Sequence, residues 1–166
     1  SLSFSPSSQA VAVSGSTSVD VIANLDMGDS FDWFGMTVIY YDVSVIEAMT
    51  ATLSPQFTFT HPADFSSSPP NGFVNLFASA STPQAGPGPI TLANITFQAK
   101  DTGTATLGFG TTSLNLGGPT GTWLQESTNQ TGSITVSQGT VGVPEPAISL
   151  LLGLGLIALG ALRKKS

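Results

Sequence analysis

Apolar and polar side chains alternate one for one near the middle of this chain: Ala93, Ile95, Phe97 and Ala99 share one side, while Asn94, Thr96, Gln98 and Lys100 share the other. A repeat of two suits an extended chain with one face buried, because strand side chains point alternately to opposite faces. The pattern returns with Val19, Val21, Ala23 and Leu25 against Asp20, Asn24 and Asp26. Shorter runs at 9–13, 104–109 and 132–137 make Val11, Val13, Ala105, Leu107, Phe109, Ile134 and Val136 the expected inward residues. No stretch before residue 144 has the period of an amphipathic helix. The expectation is an all-β chain whose half-buried strands form two packed sheets.

Further strands are expected at 31–41, 43–53, 56–60, 72–80 and 113–116, which makes about nine at the spacing of an antiparallel jelly-roll sandwich. Gly15-Ser16, Leu53-Ser54-Pro55 and Asp101-Thr102-Gly103 supply turns. Residues 61–71, with Pro62, Pro69 and Pro70, and residues 81–89, with Pro83, Pro87 and Pro89, read as loops, since proline has no N–H to give a central ladder. No internal repeat is present. The organisation expected is one sandwich domain over 1–137, a linker over 138–143 and a tail over 144–166.

Charge narrows the function. Before the tail, nine carboxylates face a single base, Lys100, a net charge of −8. Nucleic acid is excluded as a partner, because no Lys or Arg array is there to neutralise phosphates. Charged residues make up only 8% of the chain, so Ser, Thr, Gly, Asn and Gln cover the polar positions. Such a surface fits an extracellular protein that meets glycans or its own copies. With no cysteine, stability must come from packing and ladder hydrogen bonds. The start at Ser1, without methionine, is read as an export signal already removed.

The residues that carry chemistry are few. His61 is the only histidine, it sits beside Pro62, and no serine stands in a Gly-x-Ser-x-Gly context, so nucleophilic catalysis has no support. No pair of acids is marked out for glycoside hydrolysis. Asp26, Asp29 and Asp32 surround Gly28 as candidate calcium ligands, three hard oxygens in a loop; the alternative is that they are solvated or cap turns. No other cofactor is implied. Asn94 and Asn129 head Asn-x-Thr sequons and are candidate glycosylation sites. Phe31, Trp33 and Tyr40 are either a sugar-stacking platform or core.

The tail has three parts. Pro144-Glu145-Pro146 precedes an uncharged apolar run over 147–162, including Ala147, Leu150, Leu151, Leu154, Ile157 and Leu162, and Arg163, Lys164 and Lys165 follow it. As a helix the run would be about 24 Å long, against a hydrocarbon layer of about 30 Å. Pro146 suits a first helical turn, and the basic stems reach headgroups at the other end. By the positive-inside rule the basic end stays cytoplasmic and the sandwich lies outside. This order resembles the PEP-CTERM sorting signal, which implies a Gram-negative envelope or matrix protein whose tail is processed by an exosortase-type membrane enzyme. An ordinary tail anchor is the alternative.

A second resemblance concerns the domain. Tyr41-Asp42-Val43-Ser44-Val45-Ile46 is similar to the Tyr-Asp-Pro-x-x-Leu turn of cohesin-like domains, with Val43 in place of proline and Ile46 in place of leucine. Residues 92–99, followed by Gly103, resemble a later core strand of that family. The resemblance implies a nine-stranded jelly roll related in shape to carbohydrate-binding modules. Together the two resemblances imply a non-catalytic surface or matrix protein that mediates adhesion or scaffolding through other protein chains. The alternatives are a filament subunit that binds its own copies and keeps its C-terminal helix, and a polysaccharide-binding module.

Overall fold

A computed structural model describes residues 1–110, 115–117, 123–124 and 130–139. Among them lie thirteen strand segments: β1 (Leu2–Ser5), β2 (Ser8–Ala12), β3 (Ser16–Leu25), β4 (Ser30–Tyr41), β5 (Ile46–Leu53), β6 (Phe59–Thr60), β7 (Asp64–Ser68), β8 (Asn71–Ala85), β9 (Gly88–Ala99), β10 (Gly103–Phe109), β11 (Asn115–Gly117), β12 (Trp123–Leu124) and β13 (Gly132–Ser137). They build two sheets. The smaller has the order β1-β3-β9-β5; the larger runs β12-β11-β4-β10-β13-β2, with β8 on the other edge of β4 and β6 and β7 beyond β8.

The alternation of the sequence becomes the core. Val19, Val21, Ala23 and Leu25 of β3 and Ala93, Ile95, Phe97 and Ala99 of β9 are all buried, as are Ala105 and Leu107 of β10 and Ile134 and Val136 of β13. With β10 and β13, Phe34, Met36, Val38 and Tyr40 of β4 and Val74, Leu76 and Ala78 of β8 form the larger sheet's side of this core. Each fully buried Phe, Leu or Ile contributes about 1.5–3 kcal/mol of transfer free energy. No polar or charged residue is buried among those described. The core is held by apolar packing, including Phe34 edge-on to Phe57 and Tyr40 edge-on to Phe97, with centroids 4.9 and 5.6 Å apart.

Several expectations need correction, beginning with the strand count: thirteen segments among the described residues, some of only two or three residues, against the nine or so expected. The sheets are antiparallel except for one pair, β13 with β2, which runs parallel, because the crossover from β2 returns at the far end of the chain. Residues 61–71 hold β7 as well as loop: Pro62, Pro69 and Pro70 flank the strand, and β7 is an edge that needs donors on one side only. Residues 81–89 are mostly strand, since β8 continues to Ala85 and β9 starts at Gly88; Pro83 falls in the stretch where the β4–β8 register slips and no ladder bond is required. The strand expected at 43–53 begins only at Ile46. The segment β1 was not expected at all, four residues being too short to show a period, yet Leu2 and Phe4 are core.

The residues before Ile46 form a turn. Asp42 takes φ +78°, Val45 N–H donates to its carbonyl at 3.1 Å, and Pro70 O accepts the N–H groups of Asp42 and Val43 at 2.9 Å each. The Asp42 carboxylate accepts from the Ser44 hydroxyl and from Ser44 N–H. The Ser44 hydroxyl holds that carboxyl below the usual aspartate range, opposed in part by desolvation and helped by the Ser44 and Val45 amides.

Two outcomes follow from this packing. A Cβ on Gly72 would stand 1.9 Å from Tyr40 Cζ, so Gly72→Ala forces a core ring to move; the variant is expected to lose about 1–3 kcal/mol in urea unfolding, and an unchanged midpoint would refute that contact. Because the Asp42 pKa is depressed on folding, its contribution is complete above the ordinary aspartate value and is lost as pH falls through the lower, folded value. Asp42→Asn keeps the acceptor and tolerates positive φ. Its unfolding midpoint should fall less than the parent's between about pH 5 and about pH 2, and parallel pH profiles would exclude the effect.

Candidate functional site

The two outer faces of the sandwich differ in chemistry. On the smaller sheet, cross-strand rows read Ser18–Thr96–Thr50 and Asp20–Asn94–Thr52. The Ser18 and Thr96 hydroxyls are 2.9 Å apart, and Asn94 Nδ2 donates to Asp20 Oδ1 at 2.7 Å. Apart from Met49 of β5, 55% exposed, this face is polar, and hydrogen bonds join its rows across β3 and β9.

The larger sheet presents a different surface across β4, β8 and β7 or β6. Its rows are Tyr41–Asn71–Ser68, Ile39–Phe73–Ser66, Thr37–Asn75–Asp64, Gly35–Phe77 and Trp33–Ser79–Phe59. Only the middle row is wholly polar: Thr37 Oγ1 donates to Asn75 Oδ1 at 2.7 Å, and Asn75 Nδ2 reaches Asp64 Oδ2 at 3.5 Å. On either side stand rings and aliphatic groups open to solvent, with Tyr41 42%, Phe77 43% and Phe59 69% exposed. Three large exposed rings on one face are unusual for a surface whose only role is solvation.

The aromatic end of this face is built by a local irregularity. In β4, Phe31 is opposite Gln84 but Trp33 is opposite Ser79, so the register slips around Asp32. The slip turns Phe31 and Phe34 both inward, fully buried, and leaves Trp33 outward. Gly35 then matters, because a Cβ there would come within 3.3 Å of the Phe77 ring that lies over it. Trp33 and Phe77 have centroids 6.1 Å apart and planes inclined by 37°, and His61 meets Phe77 edge-on at 5.7 Å. Asp32, Trp33, Phe59, Phe77, Ser79 and Ala80 line an open groove of about 510 Å³. Asp32 Oδ1 is buried without a hydrogen-bond partner.

The residues singled out from sequence are distributed as follows. Phe31 and Tyr40 are core, and burial pushes the Tyr40 phenol up, partly offset by a hydrogen bond from the Ala48 backbone. Of the three aromatics only Trp33 is on the outer face, so they form no common platform. Asp26 and Asp29 close a turn on each other: Asp29 N–H donates to Asp26 O at 3.2 Å, and Asp26 N–H to Asp29 Oδ2 at 3.3 Å. Asp32 lies in the groove instead. Among the described residues no three carboxylates or imidazoles converge on a metal position. The Asn94 nitrogen that a glycan would occupy is the one given to Asp20. Asn129 and the whole tail, from Pro144 through Ala147, Leu150, Leu151, Leu154, Ile157 and Leu162 to Lys165, lie outside the described residues, and within those described no helix is long and apolar enough to cross a membrane.

Phe59, Phe77 and Ser79 were not anticipated. A sign was present: in 72–80 the strand alternation puts Phe73 and Phe77 in phase with Asn75 and Ser79, two large rings on a polar face. What brings Phe59 to them is a pairing across β8 that no local pattern reveals.

This sandwich is that of the cohesin modules. The seventh type I cohesin of ScaB from Pseudobacteroides cellulosolvens matches it with a TM-score of 0.61 at 14% identity, covering 84% of this chain and 92% of its own. CaCohA2 from Clostridium acetobutylicum gives 0.63 at 16%, over 85% and 92%. The sixth cohesin of scaffoldin B from Acetivibrio cellulolyticus, solved in complex with a Cel5 dockerin variant, gives 0.60 at 17%, over 82% and 97%. At these identities the likeness is one of fold. No curated protein matches the sequence. Residues 142–165 match the PEP-CTERM protein-sorting motif, which marks export and surface association in Gram-negative bacteria.

Proposed function

We propose that this chain is a non-catalytic, exported surface or matrix protein that scaffolds or adheres by docking another protein on the outer face of its larger sheet. The observation that carries this reading is the contrast between the two faces, one mostly polar with cross-strand hydrogen bonds and a single exposed methionine, Met49, the other lined with three exposed rings around Ile39 and Phe73. Interfaces concentrate aromatic residues at their centre and keep charges at the rim. The sorting motif supports the location, and cohesins solved with dockerins support a docking role for the fold. An acidic domain favours a partner whose contacting surface is apolar with a neutral or basic rim. The tail is handled by an exosortase-type enzyme, and the 147–162 run holds the chain at the membrane at least until then.

Crosslinking in the native envelope tests the docking face. Phe73→Asp puts a charge at its centre and should abolish the crosslinked species, whereas Thr50→Asp on the polar face should leave it intact; equal effects would refute the assignment. Negative-stain images of wild-type filaments that Phe73→Asp disperses would make the partner a second copy. Deletion of residues 144–166 should release the protein from cells and matrix, and unchanged retention in fractionation would exclude the tail as the address.

A further inference from the structure

We propose that the groove beside Trp33 is a subsite for a neutral pyranose unit of a polysaccharide. The groove shares Phe59 and Phe77 with the docking face but is centred on Trp33, away from Phe73, and the inference rests on four features. First, Trp33 and Phe77, inclined by 37°, offer a gently bent aromatic surface, which Phe59 extends with a ring 69% exposed. The C–H face of a pyranose is apolar and flat, and it covers such a surface as other apolar rings do. Second, the polar residues of the groove are few: Asp32 and Ser79 stand beside the rings. Sugar hydroxyls donate to a carboxylate as well as they accept from a serine.

Third, Asp32 Oδ1 has no partner although it is buried. Buried acceptors are nearly always satisfied, and an unsatisfied one in a native structure calls for a reason. Asp32 as a whole is only partly buried and lines the groove, so a turn of its side chain brings Oδ1 to a sugar hydroxyl that supplies the missing donor. Fourth, the size is right: about 510 Å³ lies within the roughly 300–1,000 Å³ of small-molecule clefts. The groove is open, so a polymer can run through it.

Charge selects among sugars. A carboxylate in the groove and a net charge of −8 before the tail repel uronates and sulfated glycans. A cationic ligand would also suit Asp32, but recognition of such a group by aromatics uses rings that enclose it. These rings form a shelf.

The full chain, in mild detergent, is titrated with cellohexaose, xylohexaose and mannohexaose, with hyaluronan oligomers and a trimethyl-lysine peptide as charged probes. At least one neutral hexasaccharide should bind, with an affinity unchanged between low and high salt. Trp33→Ala and Phe77→Ala should each weaken it about tenfold. Phe59→Ala, whose ring is mostly exposed, cannot disturb the core and should still weaken it several-fold; Asp32→Asn should reduce it less. Near-UV circular dichroism reports whether each variant is folded. Absence of binding by all three neutral sugars would overturn the proposal, as would equal binding by Phe59→Ala or salt-sensitive preference for the cationic peptide. Loss of crosslinking in Phe73→Asp with sugar binding retained would separate the two sites.

Discussion

The register of β4 against β8 sets both faces of the larger sheet at once. Pairing Met36 with Leu76 and Val38 with Val74 turns those four side chains into the core, and the residues between them are thereby committed to the outside. A slip of one residue would exchange the two sets. The register is protected from both ends. Near Tyr41 the Asp42 turn is tied to Pro70, and Tyr40 closes over Gly72, which has no side chain to oppose it. Near Ser30 the pairing resumes after an irregularity, with Ser30 opposite Ala85.

That irregularity is where the fold departs from regular pleating and where its surface becomes interesting. An uninterrupted β4 would have placed Phe31, Trp33 and Gly35 on one side. The slip at Asp32 lets Phe31 fill the core while Trp33 stays outside, and the residues of β8 opposite the slip, including Pro83, need no ladder partner. Bulges often re-aim a side chain beside a functional site. Here the same event exposes one ring, buries another and leaves one carboxylate oxygen of Asp32 without a partner beside the groove.

Stability in such a chain has few other sources. It has no disulfide, and its one described ion pair of side chains, Lys100 with Glu47 at 3.5 Å, is about half exposed on both sides. Exposed pairs of this kind contribute only about 0–1 kcal/mol. Apolar packing and ladder hydrogen bonds therefore carry the fold, which agrees with the low charge of the chain. Two of the rings on the outer face of the larger sheet lie over glycines, Phe77 on Gly35 and Tyr41 near Gly108.

By itself the sequence determined the class of fold, the inward residues of β3, β9, β10 and β13, and the sorting tail. Those are local properties: a repeat of two is set by strand geometry, and Pro144-Glu145-Pro146, the apolar run and the basic end are read in order along the chain. Prolines misled where they flanked an edge strand or fell in a register slip, since their cost depends on whether a neighbour needs their missing N–H. The tertiary structure alone decided which of Phe31, Trp33 and Tyr40 face solvent, and it alone joined Trp33 to Phe59 and Phe77. The first depends on a slip of three strand positions between distant segments, and the second on β6 finding the free edge of β8. Neither pairing leaves a mark within the few residues over which a periodicity can be read.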